Sequence, residues 1–457
     1  KAWSMDSNEA KPFITKYLSL YAMKGDYTTA YNRLQPLIAN NALPTYLKDK
    51  AESLYKTCSF AIRHPIAKEI TIQNIGDSIN SKDAEYFPSI NFQDSILLFM
   101  RRANWQREDF YVSYLNKDGF TKAQLMKDAL NSSAKKGSAS VSKDQQTLYF
   151  AADFPGMGYG RYDIYKVVAT DSGWSSPKNL GRNINTDFWE SAPSISPDGN
   201  ALYFCSNSPD GYGGIDIYVS YKNEKGYWEE AENLGPNINT AADEQAPFIH
   251  ADNETLYFNS NGHPGIGGTD LFYSKKSANG FLTPQNLGYP INTINDEGSL
   301  FVTADAATGY FASDRSDSKG GLDIYVIQLN QSNKANTTSW VEGRIYDSLN
   351  GKGLMAVVEV IDLDSKLVVS EVEADEQGNY LSVLPLGKNY AFNVSKKGYL
   401  FYSGRFEMKE DAGQTQFKND IPLQPLQKGT SMVLRNIQFE TGKYDLLASS
   451  FIEIDKI

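Results

Sequence analysis

The feature that constrains this chain most is a repeat. The tripeptide LYF occurs at Leu148, Leu202 and Leu256, with GYF at Gly309, at spacings of 54, 54 and 53 residues. Asp followed by an apolar residue and an aromatic recurs at Asp109, Asp163, Asp216, Asp270 and Asp323, spaced 54, 53, 54 and 53. NLG followed by INT appears within 179–186, 233–240 and 286–293, and IGDSINS at 75–81 is a degenerate copy. A further element reads EYFPSI at 85–90, GSASV at 137–141, ESAPSI at 190–195, EQAPFI at 244–249 and EGSLFV at 297–302. Five copies of about 53 residues thus run in register from about Asn74 to Asn330.

Each copy holds about four short β-rich runs separated by turn residues. A unit of that size cannot bury its own faces and must stack on its neighbours, which is the sequence signature of a β-propeller blade. We therefore expect a five-bladed propeller over 67–330, with six blades as the alternative count. The segment EITIQNIG (69–76) matches the outer-strand ending SSPKNLG of later copies, yet it precedes the first. The fifth copy lacks that ending after DIYVIQLN. The early segment is expected to supply the missing outer strand of the last blade and close the ring.

The stretch GYGGIDIYVS (211–220) resembles a ligand-binding loop when taken alone. Its counterparts MGYGRYDIYKV (157–167), GIGGTDLFYSK (265–275) and KGGLDIYVIQ (319–328) change that. A dinucleotide fingerprint needs a helix after its glycines, and calcium β-rolls repeat every nine residues. The expectation is a hairpin in which Gly supplies a positive φ and Asp bonds turn amides.

The flanks differ in character. Residues 1–66 read as helices: KYLSLYAMKGDYTTAYNRLQPLI has apolar residues at helical spacing, interrupted at Gly25-Asp26. Gly25, Tyr27 and Ala30 match the hinge of a tetratricopeptide (TPR) unit, which would stack on YLKDKAESLYKTCSFAI, and Pro65 marks the exit. After a polar linker, 338–425 alternate apolar and polar residues, as expected of a small antiparallel β-sandwich of roughly seven strands. Residues 434–457 read as one strand, a turn and a helix start, so the chain is expected to stop inside a further domain. The fold class is therefore multidomain and mainly β: helical head, propeller, sandwich, and the beginning of an α/β domain.

Composition removes several functions. Net charge is −11, which argues against nucleic acid as a partner, because phosphate binding needs a basic surface. The charge is uneven: nine Lys/Arg against five acids over 1–65 make the head about +4 and leave about −15 on the rest. The longest apolar run, ILLFM at 96–100, is too short to span a bilayer. No signal peptide opens the chain, so it is either cytosolic or has lost a leader. Cys58 and Cys205 lie in segments of different character and are expected as buried free thiols. With no CxxC and only His64, His250 and His263, neither a zinc site nor any other cofactor is expected.

Candidate chemistry centres on an acidic position repeated as Glu85, Glu190, Glu244 and Glu297, with Lys136 in its place in the second copy. Superposed blades would bring these to one end of the propeller. They would form either a partial acidic ring for a cation or basic partner, or hydrogen bonds to the blade-to-blade turns. Enzyme signatures are missing: there is no HExxH, no GxSxG and no Cys–His nucleophile pair. A glycosidase needs two carboxylates in different environments, which equivalent positions do not supply. Trp105, Trp174, Trp189 and Trp228 suit sugar stacking or blade packing.

Taken in order, the helices, the blades with SPDGNALYFCSN, GGIDIYVS and NLGPNINT, the sandwich VEGRIYD…GNYLSVLPLGKNYAFNVSKKGYLFYS and the terminal NIQFETGKYDLLASSFIEIDKI form a combined pattern. The chain resembles the OmpA-family proteins of Bacteroidetes that join TPR, WD40-like (PD40) propeller, carboxypeptidase-regulatory-like and OmpA-like domains, including members of the type IX secretion system. The resemblance implies a non-catalytic periplasmic scaffold at the outer membrane, in a family whose members are often lipid-anchored; Lys1 is not a lipidated Cys. It implies an outer-membrane barrel of the PorP/SprF type as partner. It also implies peptidoglycan binding by the full-length protein, through an Asp and an Arg that lie beyond Ile457. The alternative is a carbohydrate-binding or glycoside-cleaving propeller.

Overall fold

The computed structural model describes residues 13–64, 70–91, 95–103, 107–126, 135–143, 145–171, 173–223, 225–277, 279–329, 335–409 and 416–427. The chain divides into two compact units: the helices with the repeats, and a sandwich. The segment 434–457 and Trp105 lie outside the described residues.

Three helices open the first unit: α1 (Ile14–Met23), α2 (Tyr27–Ala39) and α3 (Thr45–Arg63). Their apolar spacing aligns Ile14, Leu18 and Ala22 of α1 with Tyr27, Ala30 and Leu34 of α2 and Ala51, Leu54 and Cys58 of α3 in one cluster. Asp26 caps α2 by accepting from the Thr29 amide at 3.0 Å. The cluster also takes in Ile266, with Tyr289 and Ile294 packed against it, so the head sits on the repeats. Tyr27 meets Tyr289 edge to face at 5.3 Å. Gly25 has a φ of +75°, and a Cβ there would collide with the Tyr289 phenol.

The repeats form five sheets. We number them blades 1 to 5, with innermost strands Ala84–Ile90, Lys135–Val141, Glu190–Ile195, Glu244–Ile249 and Glu297–Val302. In each, three antiparallel strands run outward from the centre, and short strands finish the outer edge. Every innermost strand packs against those of both neighbouring blades, and Glu297–Val302 packs on Ala84–Ile90. The ring is closed, and five is its blade count. The last blade takes its outer strand from Ile72–Asn74, which pairs Ile72 with Ile327 and Asn74 with Tyr325. That is the closure expected from the early copy of the outer-strand motif.

The LYF strands show why these sequences fold this way. Thr255–Ser260 is buried along its whole length, because a blade is covered on both faces by its neighbours. A continuous apolar run therefore replaces strict alternation. All five innermost strands slip register against the second strand. In four of them the bulge holds a non-glycine residue in the left-handed region: Phe87, Ala192, Ala246 and Ser299.

The sandwich unit has two four-stranded sheets. One joins Val368–Glu373, Val357–Asp362, Lys388–Ser395 and Tyr402–Met408, all antiparallel. The other pairs Thr338–Asp347 with Asn379–Pro385 antiparallel, but with Gln416–Lys418 and Ile421–Leu423 in parallel. The expected all-antiparallel sandwich of about seven strands is thus corrected to eight with a mixed sheet. The final strand is broken at Asn419-Asp420, where Tyr380 donates its hydroxyl to the Asn419 carbonyl and Arg344 donates its amide to Asp420. Val341, Ile345, Val358, Val360, Phe392 and Leu423 are among its core.

Candidate functional site

The turns from second to third strand and the linkers between blades meet at one end of the propeller, here called the loop end. A single hydrogen-bond network repeats there. Asp163 accepts from the amides of Tyr159 and Gly160 at 2.9 and 3.1 Å, and from Asn179 Nδ2 at 2.6 Å. Asn185, fully buried, donates to the Ile164 carbonyl and accepts from its amide, tying the linker to the third strand. Asp216 with Asn233 and Asn239, and Asp270 with Asn286 and Asn292, repeat the arrangement. Asp323 takes its Asn from the closing strand: Asn74 Nδ2 donates to it at 2.8 Å.

Gly156 and Gly321 of these turns have the expected positive φ, +77° and +109°, but Gly160, Gly213, Gly267 and Gly320 do not and have a different reason. The next linker crosses directly over each: a Cβ would collide with backbone oxygens of Phe188, Ala242, Asn295 and Asp83 respectively. Close backbone approach, and not turn conformation, excludes a side chain there.

Glu85, Glu190, Glu244 and Glu297 are all buried, at 0–1% exposure. Each accepts from the amide and hydroxyl of the residue that ends the linker: Ser81, Thr186, Thr240 and Thr293. Of the two readings of this position, the acidic ring for a partner is corrected and the bonding of blade-to-blade turns holds, since these carboxylates accept from linker residues and present no surface. Arg101 donates to Glu85 at 2.7 Å, while Ser206, Ser260 and Ser313 donate to the other three. Burial pushes Glu85 and Glu190 above the usual carboxylate range, and Glu297 up to about 7. In blade 2 the buried Lys136 lies 3.5 Å from Asp109 of blade 1, and Arg107 lies 2.7 Å from the same carboxylate. Burial lowers the Lys136 pKa.

One side chain reaches across the centre of the ring. Phe87, the bulge residue of blade 1, packs against the cluster of blades 1 and 2 and against that of blades 3 and 4. Its ring therefore crosses the axis. Ser138, Ala192, Ala246 and Ser299, all small, occupy the equivalent positions. Ser299 Oγ accepts from the Phe87 amide at 3.1 Å. Nothing in the repeated alignment singles Phe87 out except its size among small counterparts.

A cleft of about 430 Å³ lies between α3 and the blade 4 turn, lined by Ser53, Lys56, Thr57, Phe60, Asn261 and His263, among others. Asp270 borders it, but its oxygens accept from the amides of Ile266 and Gly267 and from Asn286. His263 donates Nε2 to the Ile238 carbonyl at 2.8 Å. Trp174, Trp189 and Trp228 pack against blade clusters, and Lys222 caps the Trp228 ring at 4.9 Å. Cys58 and Cys205 are buried free thiols, with Cys58 pushed up to about 11 by burial. Among the described residues, no group of three or more His, Cys, Asp or Glu is placed to hold a metal ion. No described helix is long and apolar enough to cross a membrane. The loop end does expose large apolar side chains: Met157, Tyr159, Phe188 and Tyr212.

No family model matches this sequence. No curated protein matches it either. Among solved structures, the chain is similar to a protein assigned as TolB from Agrobacterium tumefaciens, with 12% identity over 69% of this chain and 97% of that one, at a TM-score of 0.36. It is similar to an α-L-arabinofuranosidase from Lactobacillus brevis, with 11% identity over 57% and 95%, at a TM-score of 0.39. It is also similar to Trypanosoma rangeli sialidase, with 8% identity over 77% and 91%, at a TM-score of 0.35. The chain's own architecture is that of a multidomain, mainly β protein built on a closed five-bladed propeller.

Proposed function

We propose that this chain is a non-catalytic scaffold whose propeller holds protein partners at its loop end. One observation carries the reading. Phe87 reaches across the centre of the ring while the repeated carboxylates are engaged in internal turns, so the described part of the loop end offers a surface with those carboxylates out of reach. Its exposed aromatic and apolar side chains suit protein recognition. The alternative, glycoside cleavage, needs two reachable carboxylates in different environments. The buried, hydrogen-bonded glutamates do not supply them.

The sequence resemblance supports the finer form of the reading. It gives a periplasmic protein at the outer membrane, an outer-membrane barrel of PorP/SprF type as partner, and peptidoglycan bound by the full-length protein through the domain that begins near 434. Pull-down of the full-length protein from cross-linked envelopes tests it. Recovery of an outer-membrane protein together with peptidoglycan is expected; recovery of neither would sink the scaffold.

A further inference from the structure

The cleft between α3 and the blade 4 turn has a volume of about 430 Å³, the size of a small-ligand site. Ser53, Lys56, Thr57 and Phe60 follow one another at three- and four-residue spacing, so they line it from one face of the helix. The turn supplies the opposite wall through Asn261, His263, Pro264 and Gly268.

The free polar groups of this cleft are mostly donors. Lys56 forms no ion pair among the described residues. Asn261 is held in place by its Oδ1, which accepts from the Asp243 amide at 2.9 Å, while its Nδ2 has no acceptor among the described residues. The Gly268 amide is open as well. Its counterparts in blades 2 and 3 donate to the crossing linker, Arg161 to Phe188 at 3.0 Å and Gly214 to Ala242 at 2.9 Å, whereas Gly268 makes no such bond. Asp270 is the carboxylate in the lining, and the amides of Ile266 and Gly267 and the Asn286 side chain already donate to it. An ammonium, a side-chain amide and a backbone N–H that converge without acceptors suit an anion.

The surroundings select which anion. One ammonium balances one negative charge. Acids also stand close by: Asp243 beside Asn261, Asp296 beside Gly268, and Glu52 one turn before Lys56. A doubly charged phosphate is therefore disfavoured and a carboxylate fits. His263 adds an acceptor, because Nε2 donates to the Ile238 carbonyl and leaves Nδ1 of the neutral ring its lone pair. Phe60 and Pro264 add an apolar wall.

We infer that this cleft binds an N-acylated α-carboxylate. Lys56, Asn261 and the Gly268 amide take the carboxylate, His263 takes the neighbouring N–H, and an apolar side chain lies on Phe60 and Pro264. A free N-acyl amino acid and the C-terminus of a peptide both present this group. The inference goes beyond the scaffold reading and does not rest on it.

Isothermal titration calorimetry of the full chain tests it. N-acetyl-phenylalanine should bind with a Kd of about 0.1–1 mM, the range for a ligand of that size. Its carboxamide and inorganic phosphate should each bind at least about tenfold more weakly. Lys56→Gln should weaken binding of the acid by about tenfold. Asn261→Asp should abolish it by setting a second carboxylate against the ligand. That substitution suits the fold, since Asp314 accepts from the Asp296 amide at the equivalent place in blade 5. Should either variant melt abnormally, Ser53→Glu replaces it, at an exposed position on the helix wall. Acetyl-Gly-Gly-Phe separates the two sources: tighter binding than N-acetyl-phenylalanine assigns a peptide terminus, and equal or weaker binding a free acid. No binding of either acid up to about 10 mM, carboxamide or phosphate bound as tightly as the acid, or folded variants that bind like wild type would each overturn the inference. Each of those results leaves the envelope pull-down to decide the scaffold reading on its own.

Discussion

Glu297 shows how a repeated residue becomes an energetic liability once its surroundings are known. It accepts from Thr293, Ser313 and Arg315, but burial raises its pKa from 4.5 to about 7. The folded state therefore holds its proton more tightly than the unfolded chain. The stability this contributes is complete below about pH 4.5 and lost as pH rises through 7, a change of a few kcal/mol. Urea unfolding from pH 4.5 to 7.5 should fall less steeply for Glu297→Gln than for wild type; identical slopes would refute the assignment. Lys136 makes a second case. Removing it as Lys136→Met takes one of two neighbouring cations from the buried Asp109, and should cost about 3 kcal/mol in the same assay. A change under 1 kcal/mol would show the pair to be dispensable. The sequence displayed both residues, because period alone reveals which copy departs from Glu. It did not reveal exposure, since a repeat fixes where a side chain recurs and says nothing about what covers it. Asp109, the reason for the lysine, was legible as a repeated residue, but its place beside Lys136 follows only from the packing of blade 1 on blade 2.

At the scale of the element, the turn between second and third strands was legible as a hairpin, and its Asp as the acceptor of turn amides. The reason for its glycines was not legible, because the linker that crosses Gly213 comes from about 27 residues further along the chain. A positive φ would tolerate Asn, whereas close approach tolerates no side chain. Gly213→Asn should therefore destabilise the chain as much as Gly213→Ala, each by about 2 kcal/mol or more in urea unfolding. Near-neutral Asn with costly Ala would restore the conformational explanation. Asn239 bridges the same two segments through both backbone groups of Ile217. Asn239→Ala leaves the buried Ile217 amide unpaired, while the Ile217 carbonyl keeps the Leu234 amide, and should cost about 1–3 kcal/mol. In the sandwich, alternation gave the strands but not their directions: Gln416–Lys418 lies parallel to Thr338–Asp347, in the other sheet from Tyr402–Met408.

For the whole molecule, the decisive sequence signal was the displaced copy at 69–76, which predicted closure between ends some 250 residues apart. Asn74 anchors that closure, linking Asp323, Gly76 and Asn80. Asn74→Ala should lower the melting temperature by several degrees, corresponding to about 1–2 kcal/mol. A melt identical to wild type would show that pairing of Ile72–Asn74 contributes nothing. The reach of Phe87 across the ring was not legible, because it acts through its contact with the cluster of blades 3 and 4 and not through any motif. With the repeated carboxylates buried, the loop end acts as a protein-binding surface. Site-specific photo-crosslinking tests it most directly, with the reactive group at Tyr212 on the loop end or at Tyr227, which is exposed at the opposite end. In intact envelopes, the Tyr212 position should capture an envelope protein other than this chain and the Tyr227 position should not. Capture from Tyr227 alone, or from neither, would contradict the account.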